Sequence, residues 1–222
     1  VSTALRLVLF DVDGTLVDSQ GAIVGAMTAA FAAVRMDAPS RDVMLSVVGL
    51  SLDLVMRELA PGADDVTHAA LVEGYKSSFM AARKAAGAGH SPLYPGARAA
   101  LDQLHAVPNY LLGVATGKSQ RGVEALIAAH GLDFFVTRQV ADHHPSKPHP
   151  SMVLTAMAET GVAAKDTVMI GDTSFDIDMG RAAGVCTVAV DWGFHPAEKL
   201  GADHIIRDYE ELMPLLADIW GA

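Results

Sequence analysis

A chain of 222 residues is long enough for one large domain or for a core carrying a modest insertion. With 51% hydrophobic and 19% charged residues it excludes a disordered, solvating chain, and 16 basic against 26 acidic residues leave a formal charge of −10, the wrong sign for binding nucleic-acid phosphates. A single cysteine, Cys186, permits neither an internal disulfide nor a four-cysteine zinc site, so a reducing, cytoplasmic setting is the expectation.

In chain order, residues 5–10 form a short run, apolar but for Arg6, which reads as a strand buried on both faces, and its unbroken stretch at 7–10 falls far short of a signal segment or of the roughly 20 residues of a membrane span. Strand character then disappears, and residues 22–34, 41–47, 52–59 and 66–85 show successive amphipathic helical patterns. Gly87, Gly89, Pro92 and Pro95 cluster where a linker back into a core would lie. From there helices at 96–105, 120–130, 151–160 and 175–183 alternate with apolar strands at 110–115, 167–170 and 186–190. That rhythm predicts an α/β fold with a doubly wound parallel sheet and a helical segment inserted after the first strand. In such sheets ligands bind beyond the carboxyl ends of the strands, so the residues after each strand are the candidates for chemistry.

The first strand ends in DVDGTLVDS, with Asp11 and Asp13 two residues apart; carboxylates this close repel in an apolar crevice unless a cation or a proton intervenes. The second ends in Thr116, Gly117, Lys118 and Ser119 before a helix, where a hydroxyl and backbone N–H groups suit an anion. This is not a P-loop: that motif needs four residues between its first glycine and the GK[ST], and Leu112 stands where the glycine belongs. Lys147 lies in SKPHP, where Pro145, Pro148 and Pro150 restrict the backbone around one ammonium. The neighbouring His143, His144 and His149 lack the helical i, i+4 spacing of zinc ligands and read as loop histidines. The strand at 167–170 runs into GDTSFD, with Asp172 and Asp176 four residues apart across a strand-to-helix turn.

DVDGTLVDS, VATGKS, SKPHP and GDTSFD, in this order, resemble the haloacid dehalogenase superfamily of phosphohydrolases, and within it the phosphoglycolate phosphatase-like branch with a helical cap between the first two motifs. The resemblance covers essentially the whole chain. It implies a Rossmann-like core from residues 1–18 and 92–222, a cap from 19–91, and a Mg2+-dependent phosphatase. It further implies that Asp11 attacks phosphorus to form an aspartyl-phosphate and that Asp13 serves as acid and then base. Mg2+ would be held by Asp11, the backbone carbonyl of Asp13 and Asp172, with Asp176 as a ligand or a partner behind it. Thr116, the Gly117 amide and Lys147 would hold the phosphoryl oxygens. The cap segment 47–54 should approach the site, where it offers Ser51 and Asp53 as polar groups, and Ser51 is the cap residue expected at the substrate.

The chain also departs from its apparent relatives. Gly117 stands where an asparagine is common, and Gln20 and Gly21 replace a Pro-Asp pair frequent in phosphoglycolate phosphatases. Asp13 argues against a dehalogenase, and Ile23 and Thr15 replace the histidine and valine typical of sugar phosphomutases. The expected substrate is a small phosphorylated metabolite, phosphoglycolate-like or a sugar phosphate, with pyrophosphate hydrolysis and phosphomutase-like transfer as open alternatives. A phosphoacceptor receiver module, about half this length and without a place for GDTSFD, is the remote one. No nucleic-acid or membrane partner is expected, and the assembly is expected to be a monomer or homodimer.

Overall fold

The computed structural model describes residues 4–221. The outermost residues of the expected core, 1–3 and 222, lie outside the described residues. Six strands form one parallel sheet: β1 (Arg6–Phe10), β2 (Tyr110–Thr116), β3 (Thr137–Val140), β4 (Thr167–Gly171), β5 (Cys186–Val190) and β6 (His204–Ile206), in the order β3-β2-β1-β4-β5-β6. Register runs Leu9 to Gly113 on one side of β1 and Leu9 to Met169 on the other. The order reverses between β1 and β4, which makes the space beyond their carboxyl ends the switch point of a doubly wound sheet.

Nine α-helices accompany the strands among the described residues: α1 (Gln20–Ala33), α2 (Arg41–Ser46), α3 (Leu52–Leu59), α4 (Asp65–Ala86), α5 (Ala97–His105), α6 (Gln120–His130), α7 (Ser151–Thr160), α8 (Ser174–Ala182) and α9 (Leu212–Trp220). Because successive side chains of a strand point to opposite faces, β1 feeds two apolar layers. Val8 and Phe10 pack with Leu101 of α5, Val123 of α6 and Leu212 of α9, while Leu7 and Leu9 pack with Met152 and Val153 of α7 and Met179 of α8. Both layers are dry, which is why these strands read as continuous apolar runs.

Helices α1 to α4 stand apart from the sheet in sequence and carry their own core, built from Ile23, Met27 and Phe31 at helical spacing with Met56, Leu71 and Val72. Asp64 caps α4, accepting from the Thr67 amide at 2.8 Å. The two segments joining this insertion to the sheet run side by side: Asp18 N donates to Pro92 O at 2.9 Å, Tyr94 N donates to Leu16 O at 3.0 Å, and Val17 bridges Leu93. Both entry and exit therefore pass through one narrow, hydrogen-bonded double strand. Among the described residues no helix is long and apolar enough to cross a membrane.

Candidate active site

Four loops at the carboxyl edge of the sheet bring Asp11, Thr116, Lys147, Asp172 and Asp176 together. Asp11 directly follows β1, its amide donating to Ile170 O at 2.8 Å, and Asp172 directly follows β4. Thr116 closes β2, Lys147 lies between β3 and α7, and Asp176 occupies the first turn of α8. Asp11 and Lys147 are 1% exposed and Asp172 and Asp176 0%. Charges this deeply buried persist only when paired and hydrogen-bonded.

Lys147 Nζ donates to Asp11 Oδ1 at 2.7 Å and to Asp176 Oδ1 at 2.6 Å. The other Asp176 oxygen accepts from the Thr173 amide at 3.0 Å and the Thr173 hydroxyl at 2.7 Å, so the carboxylate caps α8 as well as holding the lysine. Asp172 accepts from the Thr15 hydroxyl and from the Phe194 amide, both at 2.9 Å. The loop carrying Thr15 is held in turn by Trp192 Nε1 and the Tyr209 hydroxyl, which donate to Thr15 O at 3.1 and 2.7 Å. A Cβ at Gly193 would overlap the Asp172 side chain, so a glycine is required for the loop after β5 to lie over that carboxylate.

One atom from each of Asp11, Asp172 and Asp176 lies within 4.8 Å of the others, and among the described residues this trio alone groups side chains as a metal site would. Two histidines of the Lys147 loop have partners outside the trio: His144 bonds Ser151 Oγ through Nδ1 and Gln139 Oε1 through Nε2, both at 2.8 Å, and His149 Nδ1 accepts from the Ser151 amide at 3.2 Å. One ammonium faces three carboxylates. Burial, partly offset by Lys147 and reinforced by the Asp176 charge, raises the Asp11 pKa from 3.8 to about 6. Burial and the charges of Asp176 and Asp11 also lift Asp172 well above the ordinary carboxylate range, against the donors Phe194 and Thr15. For Lys147 burial pulls the pKa down, but the two carboxylates and their hydrogen bonds outweigh it, so the ammonium is held charged.

Asp13 stands outside this cluster. Lys118 Nζ donates to both its carboxylate oxygens at 2.6 Å, and the same ammonium lies 5.2 Å from the centroid of the Phe79 ring on α4. Above these groups opens a cavity of about 700 Å3 between sheet edge and insertion, walled by Asp11, Asp13, Thr116, Gly117 and Lys118 on one side and by Ile23, Ser51, Tyr75 and Phe79 on the other. Ser51 and Asp53 line this cavity. Ser51 precedes α3 without a side-chain capping bond, and its amide donates to Ser146 Oγ at 2.8 Å.

Gly117 has a second role that sequence reading missed. A Cβ there would lie 2.6 Å from Gly49 O and 2.8 Å from Leu50 O, so the missing side chain is what lets the 48–51 loop of the insertion settle on the sheet edge. His195 bonds Ser46 O at 3.0 Å across the same boundary. Lys118, Phe79 and Arg121 are further wall residues to which the sequence assigned no role. For Lys118 the available signal was its place one residue beyond the Thr116–Gly117 pair.

A doubly wound parallel sheet with an aspartate trio that could hold a metal ion and a buried lysine at its switch point, beneath a helical insertion, is the arrangement of a class of hydrolases. The haloacid dehalogenase-like hydrolase family matches residues 8–190, and the chain belongs to that family. It is 36% identical over 200 residues to "Probable phosphatase IndB" of Dickeya dadantii, covering 88% of this chain and 85% of that one. It is 30% identical over 215 residues to a phosphoglycolate phosphatase of Chromobacterium violaceum, covering 96% of each. A crystal structure of a predicted phosphoglycolate phosphatase from Haemophilus somnus 129pt shares the fold, with a TM-score of 0.83, 23% identity, and coverage of 97% of this chain and 99% of that one.

Proposed function

We propose that this enzyme is a phosphatase that hydrolyses a small phosphorylated metabolite through an aspartyl-phosphate, with residues 19–91 as a cap over a core of residues 1–18 and 92–222. The observation that carries the reading is the buried Asp11–Lys147–Asp176 chain beside Asp172, with Asp13 at the cavity floor and Thr116 facing the same space.

In this reading an Asp11 oxygen attacks phosphorus while the ester P–O bond breaks and Asp13 gives the leaving oxygen a proton. Asp13 then takes a proton from water, which attacks the acyl phosphate, frees inorganic phosphate and restores Asp11. Lys147 steadies the nucleophile through Asp11 Oδ1, and its ties to two carboxylates fix the ammonium in place. Thr116 Oγ1 accepts from the Lys118 amide at 3.3 Å, which leaves its own proton for a phosphoryl oxygen, with the Gly117 amide alongside. Lys118 holds Asp13 by both oxygens at the cavity wall.

The trio fits Mg2+. Its donors are hard oxygens, and three carboxylates face one ammonium; burial first, and then the neighbouring carboxylate charges, raise the Asp11 and Asp172 pKa values. Asp11, Asp172 and the Asp13 backbone carbonyl would hold the ion. Asp176, which takes the Lys147 ammonium on one oxygen and the Thr173 donors on the other, would serve as a further ligand or as the partner that fixes Lys147. When bound, the ion supplies charge that relieves repulsion between nucleophile and phosphate. The test is phosphate release from phosphoglycolate, sugar phosphates, nucleotides and pyrophosphate, with Mg2+ and with chelator, beside Asp11→Asn. Metal-dependent release absent from Asp11→Asn is expected; release that Asp11→Asn retains overturns the mechanism.

A further inference from the structure

We infer that the substrate carries a second anionic group and that Arg83 of α4 and Arg121 of α6 receive it, at a subsite bridging the insertion and the sheet. The inference rests on the phosphatase reading for the position of the reacting phosphate, but the subsite is built from its own observations. Both arginines line the main cavity, and both also line an adjoining open cleft of about 560 Å3 whose other cation is Lys84 and which has no carboxylate in its wall. The two spaces meet at Met80, Arg83 and Arg121.

The chain has 26 acidic and 16 basic residues, ten of the latter arginines, and six of those ten show no ion pair among the described residues. Arg6, Arg57, Arg98 and Arg181 each pair with an aspartate. Arg83 and Arg121 have no such partner among the described residues; of the other acids in the main cavity's wall, Glu73 accepts from Ser77 and Asp142 from the Gln120 amide, while Asp53 lies on the side of the 48–51 loop. The positive field at this place is felt by His90, whose pKa is lowered by burial first and then by the charges of Lys118 and Arg83.

Helical geometry fixes the direction. Tyr75, Phe79 and Arg83 follow one another at i, i+4 along α4 and so share a face, with Tyr75 and Phe79 stacked at 5.6 Å. Phe79 meets the Lys118 ammonium that grips Asp13. Arg83 lies one further turn along, about 5 to 6 Å, and Arg121 follows Lys118 by three residues on the opposite wall. The second anion therefore sits at least one helical turn beyond the Phe79–Lys118 contact. Staggered carbon–carbon bonds of about 1.5 Å advance roughly 1.3 Å each, so a phospho-acid of about six carbons matches this spacing better than a two-carbon one.

The test uses matched pairs: 6-(phosphonooxy)hexanoate against hexyl phosphate, and phosphoglycolate against ethyl phosphate. Affinities are measured by calorimetry on Asp11→Asn with Mg2+, with and without Arg83→Met, Arg83→Lys or Arg121→Met, and turnover is measured on the enzyme with Asp11 intact. The six-carbon acid is expected to bind about tenfold or more tightly than hexyl phosphate, an advantage that shrinks in high salt, falls severalfold in either Met variant and is partly restored by Arg83→Lys. The two-carbon acid should show no such gain. Equal affinity within the six-carbon pair, an advantage that survives both Met variants, or binding of none of the four compounds overturns the subsite. A carboxylate advantage that depends on the arginines, with no turnover of any compound, would retain the subsite and remove the phosphatase reading.

Discussion

Replacing Asp11 by asparagine should make the metal-free protein more stable while abolishing phosphate release. The folded structure raises the Asp11 pKa from 3.8 to about 6, so the fold favours the protonated acid. Its contribution to stability is fully present below about pH 4, declines as pH rises through about 6, and is gone above that. A rise of about 2 units at about 1.4 kcal/mol each means that holding Asp11 ionised at pH 8 costs roughly 3 kcal/mol. Asparagine keeps an oxygen for the Lys147 bond, removes the charge, and relieves Asp172, whose own shift includes the Asp11 charge. For a chain of this size, 1 kcal/mol moves the melting midpoint by about 2 to 4 °C. In EDTA at pH 8, Asp11→Asn should therefore melt roughly 6 to 12 °C higher, and near pH 4 the two proteins should coincide. Circular-dichroism melts across pH 4 to 8 measure this directly. Equal midpoints at pH 8, or a gain that does not depend on pH, would refute the account of the cluster.

Lys147→Met should have the opposite effect on stability, because Asp11 and Asp176 lose their shared cation. Removing one member of a buried pair costs about 3 to 5 kcal/mol, readable by urea titration in EDTA, and loss of the electrostatic clamp should lower turnover about 100-fold or more. Lys118→Met frees both Asp13 oxygens; losing hydrogen bonds to a charged group costs about 1.5 to 3 kcal/mol, so kcat should fall roughly 10- to 100-fold with a smaller change in KM, and Lys118→Arg should recover part of it. Gly117→Asn should push the 48–51 loop off the sheet edge, because its Cβ would lie 2.6 Å from Gly49 O. Overpacking of this kind costs about 1 to 3 kcal/mol, and hydrogen exchange at residues 48–51 should quicken while Asp11-dependent turnover persists.

Most of the fold was legible because its strands are dry on both faces and its helices carry apolar residues at helical spacing. The expected strand at 110–115 and helix at 120–130 correspond to Tyr110–Thr116 and Gln120–His130. Two strands were not foreseen. β3 reads Thr-Arg-Gln-Val, and Gln139 is buried only because its amide donates to Thr137 Oγ1 and Glu159, a compensation that no apolar pattern displays. β6 has three residues at the sheet edge, too few to establish an alternation, and α9 follows it at the end of the chain. At the site, Asp11, Asp172 and Asp176 were legible because each sits immediately beyond a strand or in the next helical turn. The Asp13–Lys118 pair joins positions 105 residues apart, and helical spacing alone could not point any of Arg41, Arg57, Lys76, Arg83 and Lys84 inward. Those facts exist only after the insertion has folded over the core.

The electrostatics of the site and the construction of the insertion are linked by one imbalance. A cluster with three buried carboxylates and one buried ammonium is held together by neutral donors: the hydroxyls of Thr15 and Thr173 and the amides of Thr173 and Phe194. Those donors orient the carboxylates without cancelling their charge. In the proposed function that deficit of positive charge is one a bound cation would fill. Further out the cavity wall carries both signs: Lys118 is paired with Asp13, and Lys76, Arg83 and Arg121 share the wall with Asp53, Glu73 and Asp142. In a protein with ten more negative than positive charges, the proposed subsite requires Arg83 and Arg121 to outweigh those acids for an approaching anion, and the Arg83→Met and Arg121→Met comparisons measure whether they do.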